Sequence, residues 1–305
     1  MHRKHSFTAL VALWACSPSF AAEDVAGANV LGMAGVSVAD VTDNAAITVN
    51  PGLMALRRRY DFHGHYAFGP VRGSHWGATA MDGQTSQVLW MGLAYSGDAY
   101  RPELETSELP GWKVPDQPIA NKKRNHDLTL ALGVPVIRDR LSVGINGGVS
   151  LFNNDRQGKG LFGNADVGLG VMPTEWLAIG LVGENLLPLT GPRSTGAQAG
   201  IRVFKEEIGA FEIDGGYLHG DSDGISLGVG GEKTFGSARA RLGYGIDLPT
   251  SDQHISWGLG LLGEGGSFEY GMQLPLGPVD GLLSGMVNQL SLHLKAPDTS
   301  RTAGF

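Results

Sequence analysis

The chain is short of most of what chemistry and solubility draw on. Of its 305 residues one is cysteine, Cys16. That excludes a disulfide framework and any site built from several thiolates. Lys and Arg number 23 against 30 Asp and Glu, a formal net charge of −7, so no basic surplus marks the chain for nucleic acid. Nowhere does it hold the ~18 consecutive apolar residues that a transmembrane helix requires. "GLGLLG", Gly258 to Gly263, has the spelling of a dinucleotide loop, but it sits inside an alternating segment with no helix after it. "GDSDG", Gly220 to Gly224, lacks the downstream acidic ligand of a calcium loop and reads as turn chemistry. No serine is marked out as a nucleophile. These gaps predict no enzyme, no cofactor, no metal and no nucleic-acid partner.

What is present begins with a secretion signal. "MHRKHS" is basic, "FTALVALWA" is a short apolar run, and Ser19-Phe20-Ala21 is a small-x-small cleavage site. Residues 1–21 therefore read as a signal peptide. A second reading makes "LWAC" a lipobox with Cys16 as the lipidated residue, although Trp14 is bulky for that motif. On either reading the mature chain leaves the cytoplasm.

From Tyr60 the dominant period is two. "YDFHGHYAF" sets Tyr60, Phe62, Gly64, Tyr66 and Phe68 on one face and Asp61, His63 and His65 on the other. "HDLTLALGV" and "LSVGINGGVSLF" alternate in the same way, and the pattern recurs to "MVNQLSLHLK" at residues 286–295. That makes about fourteen strands of roughly nine to twelve residues, the length of tilted membrane strands rather than of soluble ones. Backbone groups in hydrocarbon must all be paired, so such strands close into a barrel. The predicted fold is all-β, a transmembrane antiparallel barrel over residues 60–295, with a tail at 296–305. Connections after even strands read short. Those after odd strands read long at Gly97 to Arg124, Asn153 to Gly160, Leu186 to Ser194 and Pro275 to Gly285, which puts both termini on the periplasmic side. Tyr60, Trp176 and Phe204 are expected in one aromatic girdle, and Tyr95, Phe152 and Trp257 in the other.

Parity assigns the charges. Asp127, Asp166, Arg202, Glu212, Asp214, Glu232, Arg239, Arg241 and Glu269 all lie opposite the apolar stripe. A Lys or Arg facing lipid at mid-depth costs ~2–4 kcal/mol, so these residues are expected to line the lumen. They either tie the walls together as ion pairs or border a path. His63 and His65 share a face with Asp61. Without a third ligand in view they read as lumenal polar residues rather than a metal site. Glycine, at 47 residues, is about twice its usual share. Gly144, Gly168, Gly228 and Gly243 are candidates for places where strands bend or a plug approaches the wall.

Residues 22–59 precede the first strand. "LGMAGVSVADVTDNAAITVNPGLMAL" is small-residue-rich and turns at Asn50-Pro51-Gly52 before Arg57-Arg58-Arg59, which are expected in the wet periplasmic zone. It is too short for a plug domain and long enough to tuck inside a barrel. The stretch resembles the N-terminal hatch of the FadL-like outer-membrane barrels, a superfamily of long-chain fatty acid transporters and type IX secretion relatives. Gly27, Gly32, Met33, Gly35, Asn50, Pro51, Gly52 and Leu53 match its start and its Asn-Pro-Ala-Gly-Leu block, whose Ala is missing here. "GLVGENLL", "LGVGGEKTFGSARARLGYG" and "NQLSLHLK" are similar to later parts of such barrels. The chain is shorter than a typical fatty acid transporter, and its last strand lacks a terminal aromatic.

The resemblance implies a fourteen-stranded barrel in the outer membrane of a Gram-negative bacterium, in contact with outer-membrane lipid. It would pass or hold small hydrophobic compounds, with Gly32, Met33, Gly35 and Asn50 to Leu53 in a hatch that gates it. The alternative is a non-transporting barrel that anchors a surface or secretion complex through a protein partner.

Overall fold

The computed structural model describes residues 27–69, 73–100, 123–154, 158–187, 195–205, 208–219, 223–248, 252–276 and 286–296. The signal peptide, residues 22–26 and the tail from 297 lie outside them. Fourteen antiparallel strands form one closed barrel in chain order, β14 returning to β1. They are β1 Tyr60–Gly69, β2 Gly73–Asp82, β3 Trp90–Tyr100, β4 Lys123–Ile137, β5 Leu141–Asn154, β6 Gly158–Thr174 and β7 Leu177–Glu184. The series continues with β8 Thr195–Lys205, β9 Gly209–His219, β10 Gly224–Phe235, β11 Ala238–Leu248, β12 Asp252–Gly263, β13 Gly266–Pro275 and β14 Val287–Lys295. The seam is in register, with Asp61 opposite Lys295 and Phe68 opposite Asn288. Closure leaves no strand edge unpaired, as a sheet in hydrocarbon requires.

Parity sorts the side chains. Phe62, Tyr66, Leu128, Leu130, Val167, Ile201, Ile213, Leu259 and Leu292 stand exposed on the outside, while Asp61, His63, Ser142, Arg202, Glu212 and Ser291 are buried inside. Buried polar groups within and exposed apolar groups without reverse the order of a water-soluble domain and match a lipid-facing wall. Among the described residues no helix is long and apolar enough to cross a membrane. Two ladder irregularities fall beside prolines, between Pro135 and Ile137 and between Val171 and Thr174, which flank Pro173. Proline has no N–H to give the ladder.

Four expectations are corrected. The Asn153 to Gly160 connection is mostly strand, because β5 and β6 outrun their neighbours. Asn153 pairs with Lys159 and Asn154 with Gly158, and the Phe152 and Phe162 rings stack at 4.7 Å. Phe204 belongs to no girdle. It shares a face with Arg202, is buried in the bore, and carries Arg57 over its ring at 4.8 Å. Trp257 sits midway along β12, edge-on to Tyr270 at 5.3 Å. Arg59 does not stay in a wet rim but turns inward to pair with Asp61 at 3.3 Å.

Candidate functional site

Residues 27–59 lie in the bore. A four-residue helix α1 (Ala28–Leu31) is followed by two 3-10 helices, Asn44–Ile47 and Pro51–Leu56. Each 3-10 helix starts on a side-chain cap: Asp43 accepts from the Ala45 amide, and Asn50 from the Gly52 amide at 3.1 Å. Pro51 opens the second helix where no donor is needed.

Residues 28–40 follow the inner wall against the strand order, residues 43–47 lie across the bore on β1 to β3, where Asn44 donates to the Asp61 carbonyl at 3.3 Å, and residues 50–56 come back to β4 to β7. The segment begins at β14, where the Ala28 amide donates to Ser291 Oγ at 2.7 Å. Gly32 lies on Gly258 of β12, Met33 on Gly230 and Gly243, and Val36 on Gly228 of β10. Ser37 to Asp40 meet β8 and β9. Gly52 ends against Gly144, Gly168 and Gly170 of β5 and β6. A methyl group on Gly180 would overlap the Val38 carbonyl, and one on Gly168 the Asn50 side chain and Gly52 backbone. Glycine at these wall positions is what lets a backbone lie directly on the sheet.

Wall side chains satisfy the segment's backbone. Asp214 Oδ2 accepts from the Ser37 amide at 2.7 Å and the Val38 amide at 2.8 Å, and Glu212 Oε1 from the Ala39 amide at 2.8 Å. Asn146 donates to the Ile47 carbonyl at 3.1 Å and Ser142 donates to the Gly52 carbonyl, while within the segment Asn50 donates to the Val38 carbonyl at 2.9 Å. Without these partners the segment's short, irregular backbone would carry unpaired polar groups, a costly state when buried.

Of the nine inward charges inferred from parity, the barrel joins six into one cluster. Arg202 on β8 is 2.7 Å from Glu212 and 3.0 Å from Glu232, and it reaches across to Asp40 of the segment at 3.2 Å. Arg241 pairs with Glu232 and Glu269, both at 3.0 Å, and Arg239 stands 3.6 Å from Glu232. Asp214 neighbours the cluster. Asp127 and Asp166 stand apart on β4 and β6, where Ser150 donates to Asp127 and the Asn185 amide to Asp166 at 2.7 Å.

Burial pushes the Asp40 carboxyl up, but Arg202 and two hydrogen bonds from Thr42 outweigh it and hold Asp40 below the usual carboxylate range. Burial draws the Arg59 guanidinium below its usual value, against the pull of Asp61 and Asp43. Arg59 donates to the Val41 carbonyl at 2.9 Å and to the Asp43 carbonyl.

Sequence reasoning missed Asp40 and Arg59 as members of this network. The signal for Asp40 was a carboxylate in an otherwise small and apolar stretch. It also missed Glu184, which accepts from Gln198 at 2.8 Å and follows the β7 parity inward. The two neighbours of β1 bring His293 (β14) and His75 (β2) beside the two histidines already noted, with ring centroids of His63 and His293 5.7 Å apart and of His65 and His75 5.3 Å apart. Among the described residues no three such groups are arranged to hold a metal ion. Gly224 to Gly228 does spell G-x-S-x-G, but Ser226 there lies inside β10, not on a strand-to-helix turn.

Two hollows stand out among the described residues, the larger an open apolar concavity of about 770 Å³ over β5 to β10 that includes Val143, Val167, Leu181, Tyr217 and Ile225. The other, of about 60 Å³, lies between Val30, Ala34 and Val36 of the segment and Asp214, Ser226, Asp247 and His254 of β9 to β12.

No family model matches the chain, and no curated protein is similar to it by sequence. Among solved structures the barrel is similar to the CymD monoaromatic hydrocarbon channel, with a TM-score of 0.64, 10% identity, and 88% of this chain and 97% of that one covered. It is similar also to the Ralstonia pickettii toluene transporter TbuX, with a TM-score of 0.63, 12% identity, and 89% and 97% covered. The P. putida toluene transporter TodX gives a TM-score of 0.58 at 11% identity, with 89% and 97% covered. At such identities the likeness is one of fold: this chain is a closed fourteen-stranded barrel built like those channels.

Proposed function

We propose that the protein is an outer-membrane channel for small hydrophobic compounds, closed at rest by its N-terminal segment. The observation that carries this reading is a lipid-faced cylinder whose bore is occupied by its own chain. The remaining hollow of about 60 Å³ is smaller than the ~150 Å³ apolar cavity that accommodates benzene. At that hollow even a single aromatic ring needs the segment to move. The fold shared with three hydrocarbon or toluene channels supports the same substrate class. Val30, Val38, Ala45, Val49 and Val182 form a small apolar cluster beside the hollow, a surface an apolar solute can wet. Transport is passive, down a gradient.

The test is uptake of toluene by proteoliposomes holding the full chain and a variant lacking Leu31 to Asn50. The deletion is expected to raise uptake once barrel assembly is confirmed. Equal uptake by both, or none by either, contradicts the gate. A barrel that only anchors a complex would pass no toluene with or without the segment and would hold a stoichiometric protein partner in mild detergent.

A further inference from the structure

We propose that the outer face of β4, β5 and β6 holds a phosphorylated glycolipid of the outer leaflet, with a phosphate between Arg124 and Lys159 and acyl chains on the leucines below. The proposal uses the outer-membrane placement of the barrel and is independent of what the bore passes.

The three strands are the longest in the barrel. Their outward residues fall into rows set by the ladder. The top row is Arg124, Asn153 and Lys159, since Arg124 pairs with Asn153 and Asn153 with Lys159. All three are exposed. The next row down is His126, Leu151 and Leu161, and below it Leu128 stands opposite Val149. From Leu141 to Leu151 the outward side of β5 carries no charged residue over about ten positions, or ~34 Å of strand. At a tilt of ~40° this is ~26 Å along the membrane normal, the height of the apolar band of such barrels. The top row is therefore the first polar level above the hydrocarbon. It lies at the end of the barrel away from Tyr60 and Lys295, the end expected at the cell surface.

Aromatic rings mark the same level. Trp76 of β2 lies over Gly97 of β3, which is opposite His126. The Tyr95 hydroxyl is 2.9 Å from His126 Nδ1, and the two rings stack. Rings of this kind sit where one edge is wet and the body is apolar.

The two cations are not used by the protein. Among the described residues neither Arg124 nor Lys159 pairs with a carboxylate. The acids carried by β3 to β6 are Asp98, Asp127 and Asp166, and all three have the inward parity; Asn125 donates to Asp98 at 2.8 Å and Ser150 to Asp127. The outward lysines of β8 and β10, Lys205 and Lys233, stand at the opposite end. Two strand spacings separate Arg124 from Lys159, ~10 Å between backbones, and both side chains are long enough to converge over Asn153. A guanidinium fork, an ammonium and an amide N–H₂ on one side of a sheet suit the oxygens of a phosphate.

The surface below suits acyl chains. Leu151, Leu161, Leu128 and Leu130 are exposed. The face is low at Gly147 and Ala165, which pair with each other, and a methyl group on Gly147 would meet only the Asn164 carbonyl, at 3.9 Å. On the β6 side it falls away into the open concavity bordered by Val167 and Leu181. Phosphate above and several chains below describe a lipid rather than a free anion, and its position in the outer leaflet favours the phosphorylated glycolipid over a phospholipid.

The experiment titrates bisphosphorylated lipid A onto the purified full chain in mild detergent and counts bound copies by native mass spectrometry. Removing both cations, Arg124→Gln with Lys159→Gln, is expected to weaken binding about tenfold or more. Lys205→Gln, which removes one exposed charge from the other rim, is expected to change nothing. Asn153→Asp sets a carboxylate between the two cations, is expected to weaken binding in the same way, and serves if the double variant assembles poorly. Lipid A stripped of its phosphates is expected to bind the native chain as weakly as intact lipid A binds the double variant. Equal binding by the native chain and these variants, an equal loss in Lys205→Gln, or undiminished binding of the stripped lipid overturns the proposal. Phosphatidylglycerol bound as tightly as lipid A overturns the glycolipid assignment.

Discussion

At the scale of single residues, the bore is organised by charges that lipid would not tolerate. Arg202 is the central one, with three carboxylates within 3.2 Å. Replacing it by Met leaves Glu212 and Glu232 buried with one cation fewer. The expected loss of stability is ~3–5 kcal/mol, the range for breaking a buried pair, seen as a lower unfolding temperature of the barrel in detergent. Asp40 makes a pH prediction. Its pKa is depressed in the folded protein, so its contribution is fully present above the unfolded value of about 4 and is lost only as pH falls through the folded value. The difference in unfolding temperature between the native chain and Asp40→Asn, read in detergent, should therefore be constant from about pH 8 to pH 5 and shrink only below about pH 4. A step near neutral pH would assign the effect to another group. Parity read from the sequence told which charges face inward. It could not tell who meets whom, because pairing depends on azimuth and depth, which emerge only on closure. Arg202 and Asp40 are 162 positions apart, so no local pattern announced them. Arg59 was misread for a related reason: its head group has carbonyls to satisfy inside, and that outweighed hydration at the rim.

At the scale of elements, the strands were legible almost to their ends, since alternation is enforced wherever one face meets lipid and the other a wet or polar bore. It fails where that contrast fades. The β5–β6 ladder runs on through Asn153, Asn154, Gly158 and Lys159, residues with no apolar rhythm, because backbone pairing needs none. Phe204 was misplaced because an aromatic near a strand end suggests a girdle, whereas its parity with Arg202 already pointed inward. The glycine excess was legible as strand bending or the approach of a plug, but each glycine's partner was not. Gly168 now has one, the Asn50 side chain and the Gly52 amide. Gly168→Ala inserts a methyl group where backbone lies, and overpacking of this kind costs about 1–3 kcal/mol. The barrel, which has many other contacts, is expected to assemble while the segment undocks. Limited proteolysis of the assembled variant should release N-terminal peptides that the native chain protects, and unchanged protection would contradict the docking.

At the scale of the whole molecule, a cylinder with an apolar exterior encloses a segment of its own chain that starts on β14, runs to β8, crosses to β1 to β3 and ends on β4 to β7. The outer face needs no binding partner beyond lipid to account for it, and the inner face is nearly spent on holding the segment. With the segment docked in the bore, the proposed channel for hydrophobic compounds is expected to be silent to ions. The most direct measurement is the conductance of planar bilayers carrying the purified full chain and the variant lacking Leu31 to Asn50. The account predicts no resolvable ion current through the full chain and stable open steps through the variant. Porin-like current through the full chain, or a variant that assembles and stays silent, would contradict the claim that this segment closes the barrel.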